Sequence, residues 1–185
     1  LLATYLHSVY PDRDIVTSIT AATGRVPAGR APRRCARMPS GSTTRSPRPA
    51  APGRLVAVGL SLGAGPAAHL ATVRPVDGLI LVTPFDTLEA LASEIYPWLP
   101  VRLLLRHRMD VAGAIGQSSA QVAIIAAAED EIVPPRRTEA LRGAAGALVL
   151  DRVIEGTGHN DIYDSDAFIA AMREALSRIE GRSAR

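Results

Sequence analysis

Residues Leu55–Val73 read LVAVGLSLGAGPAAHLATV, an apolar run that breaks at Gly59-Leu60-Ser61-Leu62-Gly63 and resumes as a chain of small residues. The Val-rich half has the character of a buried strand, and the Ala-rich half that of a helix packed closely against it. A serine at the apex of so sharp a strand-to-helix turn is forced into strained backbone geometry. The G-x-S-x-G spacing therefore predicts that the positions two before and two after it must be nearly free of side chain, a need met by Gly59 and Gly63.

Working outward, three more strands are expected, at Gly78–Thr83 (GLILVT), Gln121–Ala128 (QVAIIAAA) and Ala147–Ile154 (ALVLDRVI). The continuous apolar run at 121–128 is the mark of a buried strand. Helices are expected at 88–95, at 136–145 and after Ser165. In that last helix Phe168, Met172, Leu176 and Ile179 fall on one face, with Ser165 as its cap. Strand and helix alternate from Arg54 onward, so the fold class is α/β: a mostly parallel sheet with helices on both faces. Chemistry-bearing residues follow the strand ends. Glu129-Asp130-Glu131 comes just past the third strand, and His159, within Glu155-Gly156-Thr157-Gly158-His159-Asn160-Asp161, just past the fourth. Polar groups at the carboxyl ends of parallel strands can converge on one site.

The order Ser, Asp, His, each beyond a different strand, resembles the α/β-hydrolase superfamily, in its esterase and prolyl-oligopeptidase-like branch. The resemblance is carried by GLSLGAG at 59–65, LVTPFDTL at 81–88, YPWLPVRLLLRHRMD at 96–110, EDEIVP at 129–134 and EGTGHNDI at 155–162. These segments span about the last two-thirds of the chain. The resemblance implies a serine hydrolase that cleaves an ester, thioester or amide through an acyl-enzyme. Ser61 would be the nucleophile, His159 the base that activates it, and Asp130 the acid that orients the imidazole. Glu129 and Glu131 are rivals for the acid. Asp130 is preferred because the family's acid stands three residues before the valine, here Val133. The backbone N–H of Leu62 would be an oxyanion donor, and residues 96–110 would form a small cap over the site.

Other residues carry less. His69 falls within the post-turn helix and is expected to be packed or half exposed. His107 stands between Arg106 and Arg108, as on a solvated basic face, and His7 has no informative context. A single cysteine, Cys35, closes no disulfide within the chain and supplies no zinc-site spacing. The expectation is an enzyme with no metal and no cofactor, whose partner is a small acyl substrate. The alternative is a non-catalytic relative that binds a lipid or protein.

The first third differs in composition. Between Ile15 and Arg54 there is no acidic residue, so the formal net charge of +3 originates in this one segment. An Arg-rich arm can bind nucleic acid. This one has no interleaved aromatic residues, and the chain has no lysine, so nucleic acid is not expected as a partner. Back-translating Thr17–Gly24 and shifting to the third codon base permits V-D-Y-R-G-Y-G. The same shift over Arg37–Ser46 permits D-A-E-R-L-Y-D-A-L. Both fit the family ahead of its serine turn, so residues from about 17 to about 50 are read as a displaced frame. Residues 1–53 are expected to be a largely disordered remnant of the hydrolase domain, holding one strand at 14–16, with 54–185 as the catalytic core. Ser61 comes early and no His-Gly element precedes it, which predicts a fold incomplete at its N-terminus and lacking a second oxyanion donor. No signal peptide or spanning segment is visible. A cytoplasmic location is favoured, with membrane attachment through a missing N-terminal segment as the alternative.

Overall fold

Four short strands set the frame of the computed structural model, which describes residues 54–105 and 108–182. They are β1 (Val56–Leu60), β2 (Gly78–Val82), β3 (Gln121–Ala127) and β4 (Leu148–Ile154). They pair in the order β1-β2-β3-β4, and every pairing is parallel. Register aligns their carboxyl ends: Leu60 lies opposite Val82, Val82 opposite Ile125, and Ala127 opposite Ile154. Each residue just past a strand is thereby delivered to the same edge of the sheet. The expected strand at 14–16, the arm at 17–53, the displaced frame, His7, Cys35 and His107 lie outside the described residues.

Parallel neighbours need crossover connections, and the intervening sequence supplies helices. A 3-10 turn at Ser61–Gly63 leads into α1 (Ala64–Val73). Between β2 and β3 come α2 (Leu88–Ile95), the single turn α3 (Val101–Leu104) and α4 (Val111–Gln117). Then α5 (Pro135–Ala144) joins β3 to β4, and α6 (Asp166–Arg182) follows β4. Side chains alternate across the sheet. Leu79, Leu81 and Ile124 face a core shared with Ala64, Ala68, Ile115 and Leu141 from α1, α4 and α5. Helix α6 packs against β2, β3 and β4, with Phe168, Met172, Leu176 and Ile179 all buried on the face expected from their spacing. Burying a side chain of this size stabilises by about 1.5–3 kcal/mol. These few residues therefore fix which face of α6 meets the sheet. Ser165 Oγ accepts the N–H groups of Ala167 at 3.1 Å and Phe168 at 3.4 Å, as a cap should.

Helix α4 was not foreseen, because VAGAIGQ is short and carries two glycines, a weak helical signal. Tertiary contacts supply what propensity lacks. Asp110 Oδ1 caps it by accepting the Gly113 N–H at 2.8 Å, while Val111 and Ile115 are fully buried. The N–H of Val111 reaches Asp86 O at 2.9 Å, and that of Leu88 reaches Met109 O at 3.0 Å. Residues 88–110 are thus an excursion whose two ends are tied together beside β2. Helix α5 starts one residue earlier than expected, with Pro135 in its first turn, where a missing N–H costs nothing.

Candidate active site

The turn after β1 places Ser61 at φ +49°, a left-handed conformation that L-residues avoid. Room for it comes from Gly59. A Cβ there would lie 2.7 Å from Ala64 Cα, 2.8 Å from Gly63 O and 2.9 Å from Ala67 Cβ. Gly63 does not share this role, which corrects the symmetric expectation from the G-x-S-x-G spacing. Its backbone is ordinary right-handed helix, φ −65° and ψ −15°, and among the described residues nothing lies within 4 Å of an added Cβ. The turn is tight on the side where β1 meets α1 and open where the helix has already begun.

The strand ends bring three side chains into line. Ser61 Oγ lies 2.8 Å from His159 Nε2, and His159 Nδ1 lies 2.9 Å and 3.0 Å from the two carboxylate oxygens of Asp130. Both ring and carboxylate are nearly enclosed, with side chains 6% and 5% exposed. A carboxylate only accepts hydrogen bonds, so Nδ1 carries the proton and donates to Asp130. This leaves the Nε2 lone pair to accept from the serine hydroxyl.

The loop after β3 sends its three acids to different places. Asp130 Oδ1 also accepts the N–H groups of Ile132 at 2.9 Å and Val133 at 2.6 Å, closing a turn that a carboxylate one methylene longer would overshoot. Glu129 is exposed, and its N–H donates to Thr157 O at 2.9 Å. Glu131 instead sends Oε2 to the backbone N–H of His159, at 3.1 Å. Leu62 is the second residue of the 3-10 turn, so its N–H lies at the start of the helical run that continues through α1; its side chain is 49% exposed. His69 is exposed on α1. No group of three or more His, Cys, Asp or Glu among the described residues could hold a metal ion. No helix among them is long and apolar enough to cross a membrane.

Two features escaped the sequence. Thr83, next in register to Ser61, also has a left-handed backbone at φ +46°, though it is β-branched and precedes Pro84. Its N–H donates to Ile125 O and its hydroxyl to Val82 O, both at 2.8 Å. Those bonds hold a conformation that costs about 1–3 kcal/mol. Tyr163, in the 3-10 turn Ile162–Asp164, brings its hydroxyl to 3.5 Å from Thr83 Oγ1 and packs edge-on against Phe168. Burial pushes the Tyr163 phenol above its ordinary range; the Thr83 contact opposes the rise, and the charge of Asp130 adds to it. A cavity of about 150 Å³ lies behind the acid, lined by Ala127, Asp130, Val133, Thr138 and Arg142 among others, with neither Ser61 nor His159 on its wall.

Among solved structures similar in fold is an α/β-hydrolase enzyme from a metagenome of lagoon sediments at Mar Chica, Morocco. It has a TM-score of 0.51 at 19% identity and covers 69% of this chain and 63% of its own. The chain has the α/β-hydrolase fold. A structure described as a novel esterase from Mycobacterium tuberculosis is equally similar, with a TM-score of 0.51 at 20% identity over 70% of this chain and 63% of that one. Two curated proteins of Mycobacterium tuberculosis, from strains CDC 1551 / Oshkosh and H37Rv, are both named as uncharacterized. Each is 38% identical over 128 residues, 68% of this chain and 46% of the relative. The chain therefore spans about half the length of the curated relatives it matches. No protein-family model matches it.

Proposed function

We propose that this α/β-hydrolase-fold chain carries the nucleophilic site of a serine hydrolase that cleaves an ester, thioester or amide through an acyl-enzyme. The observation that supports this best is the unbroken hydrogen-bonded line Ser61–His159–Asp130 at the carboxyl edge of the sheet. Ser61 Oγ attacks the acyl carbon while its proton passes to His159 Nε2, and Asp130 stabilises the imidazolium that forms. His159 returns the proton to the leaving alcohol, thiol or amine. Water then attacks the acyl-enzyme by the same route, releasing the carboxylic acid. The Leu62 N–H, at a helical N-terminus, serves as one donor to the oxyanion.

The cap assigned to residues 96–110 is part of the same proposal. Its support is Met109, whose Sδ would lie 2.8 Å from a Cβ at Gly65, in the first turn of α1 and four residues past Ser61. The end of the excursion is thus seated beside the serine turn. Trp98, Leu103 and Leu104, all exposed, lie on the same segment. Labelling with a fluorophosphonate probe tests the proposal: covalent capture is expected in the unaltered chain and is lost in Ser61→Ala. A binding-only relative would show no Ser61-dependent capture.

A further inference from the structure

Glu131 stands beside the acid of the line of three and takes no part in it, yet it touches the histidine by another route. Its Oε2 accepts the His159 backbone N–H at 3.1 Å. From this we infer that Glu131 is a positioning residue, which holds the main chain of His159 from the β3 loop and so fixes where Nε2 stands relative to Ser61 Oγ. The inference rests on the serine-hydrolase reading above.

The ring and its backbone are held by different groups. Asp130 fixes the orientation of the imidazole through Nδ1 but acts at the end of a rotatable side chain, so it does not by itself locate the histidine Cα. Glu131 acts one bond from that Cα. With both carboxylates in place, orientation and origin are set together, and Nε2 has one position, 2.8 Å from the hydroxyl.

The surrounding sequence makes room for this contact. Gly158, the residue before the histidine, would carry a Cβ only 2.7 Å from Glu131 Oε2, so a side chain there would push the carboxylate away. The Gly158 N–H is taken by Asp161 Oδ1 at 2.6 Å, so two successive N–H groups each meet a carboxylate. The Glu129 N–H to Thr157 O bond, at 2.9 Å, joins the same two loops one step earlier. Small displacements matter here, because misplacing a reacting group by about 1 Å can cost on the order of 100-fold in rate.

The test compares Glu131→Ala and Glu131→Gln in the full 185-residue chain. It measures amide hydrogen exchange at His159, Ser61 labelling by a fluorophosphonate, and kcat and KM on a p-nitrophenyl ester. Glu131→Ala is expected to speed His159 exchange about tenfold and to lower labelling and kcat about tenfold with KM unchanged. Glu131→Gln, which keeps an oxygen acceptor, is expected to restore both to within about threefold. Unchanged exchange in Glu131→Ala overturns the anchor. Faster exchange with unchanged kcat and labelling overturns its positioning role, as does a glutamine variant no better than alanine. If the unaltered chain shows no Ser61-dependent labelling, it is the hydrolase reading that fails, and exchange at His159 still decides whether the anchor exists.

Discussion

Replacing Gly59 and Gly63 separately by alanine divides a turn that looks symmetric in sequence into one constrained and one unconstrained half. At Gly59 the new methyl would meet Ala64 Cα, Gly63 O and Ala67 Cβ at 2.7–2.9 Å, all inside the 3.4 Å at which ordinary contact begins. Two of the three are backbone atoms and the third is a Cβ, so no side-chain rotation relieves the clash. Overpacking costs about 1–3 kcal/mol, and rigid neighbours place Gly59→Ala toward the upper end, at about 2–3 kcal/mol. At Gly63 the backbone is already helical and the space is open among the described residues. Lower chain entropy in the unfolded state favours alanine there by about 0.4–1 kcal/mol. The preference for Gly over Ala at a helix N-cap opposes it by a similar amount, so Gly63→Ala is expected within about 0.5 kcal/mol of the unaltered chain. Urea denaturation followed by circular dichroism reads both. With a slope of about 2 kcal/mol per molar, Gly59→Ala should lower the midpoint by about 1 M and Gly63→Ala should barely move it. Ser61 labelling should slow in the first variant and persist in the second. Equal losses in the two variants, or none at Gly59, would refute the assignment of the close approach to the β1 side of the turn.

Asp130→Asn keeps an oxygen for the Ile132 and Val133 N–H groups but no longer enforces the proton on Nδ1, so ester turnover should fall by about 10³–10⁴ while the melting curve stays near that of the unaltered chain; a loss under tenfold would count against Asp130 as the orienting acid. Tyr163 has its phenol pKa raised in the fold, so the native state holds this proton more tightly than the unfolded chain. Stability is full below the unfolded value near 10 and declines as pH rises through the folded one. Tyr163→Phe should flatten that alkaline decline in pH-dependent melting, and an unchanged slope would show that the phenol does not carry it. Arg137 of α5 reaches Asp86 at 3.1 Å and Glu94 at 3.3 Å, both largely shielded. Arg137→Met should cost about 1–3 kcal/mol in urea by leaving the shielded Asp86 without its cation, while Glu94 keeps Arg136, and a neutral result would mean that solvent already screens Asp86.

Sequence by itself determined the α/β class and the edge on which the chemistry gathers. Strands buried on both faces are apolar without interruption and a parallel sheet needs crossovers, so β1, β2 and β3 and the polar residues just past them were legible from local pattern, while β4, interrupted by the exposed Asp151 and Arg152, was legible from its apolar ends. The face of α6 was legible too, because four large side chains recur at helical spacing. What local pattern cannot hold is distance between residues far apart in the chain. Only the register of the strands brings Ser61, Asp130 and His159 within hydrogen-bond range, and only the loop geometry separates Asp130 from Glu131, giving one the imidazole ring and the other its backbone. Helix α4 exists because Asp110 caps it and because it packs against α1 and α5, contributions that its glycine-containing sequence does not announce. The contrast between Gly59 and Gly63 has the same origin: glycine records that a side chain is absent, and the packing of α1 against β1 decides where that absence is required.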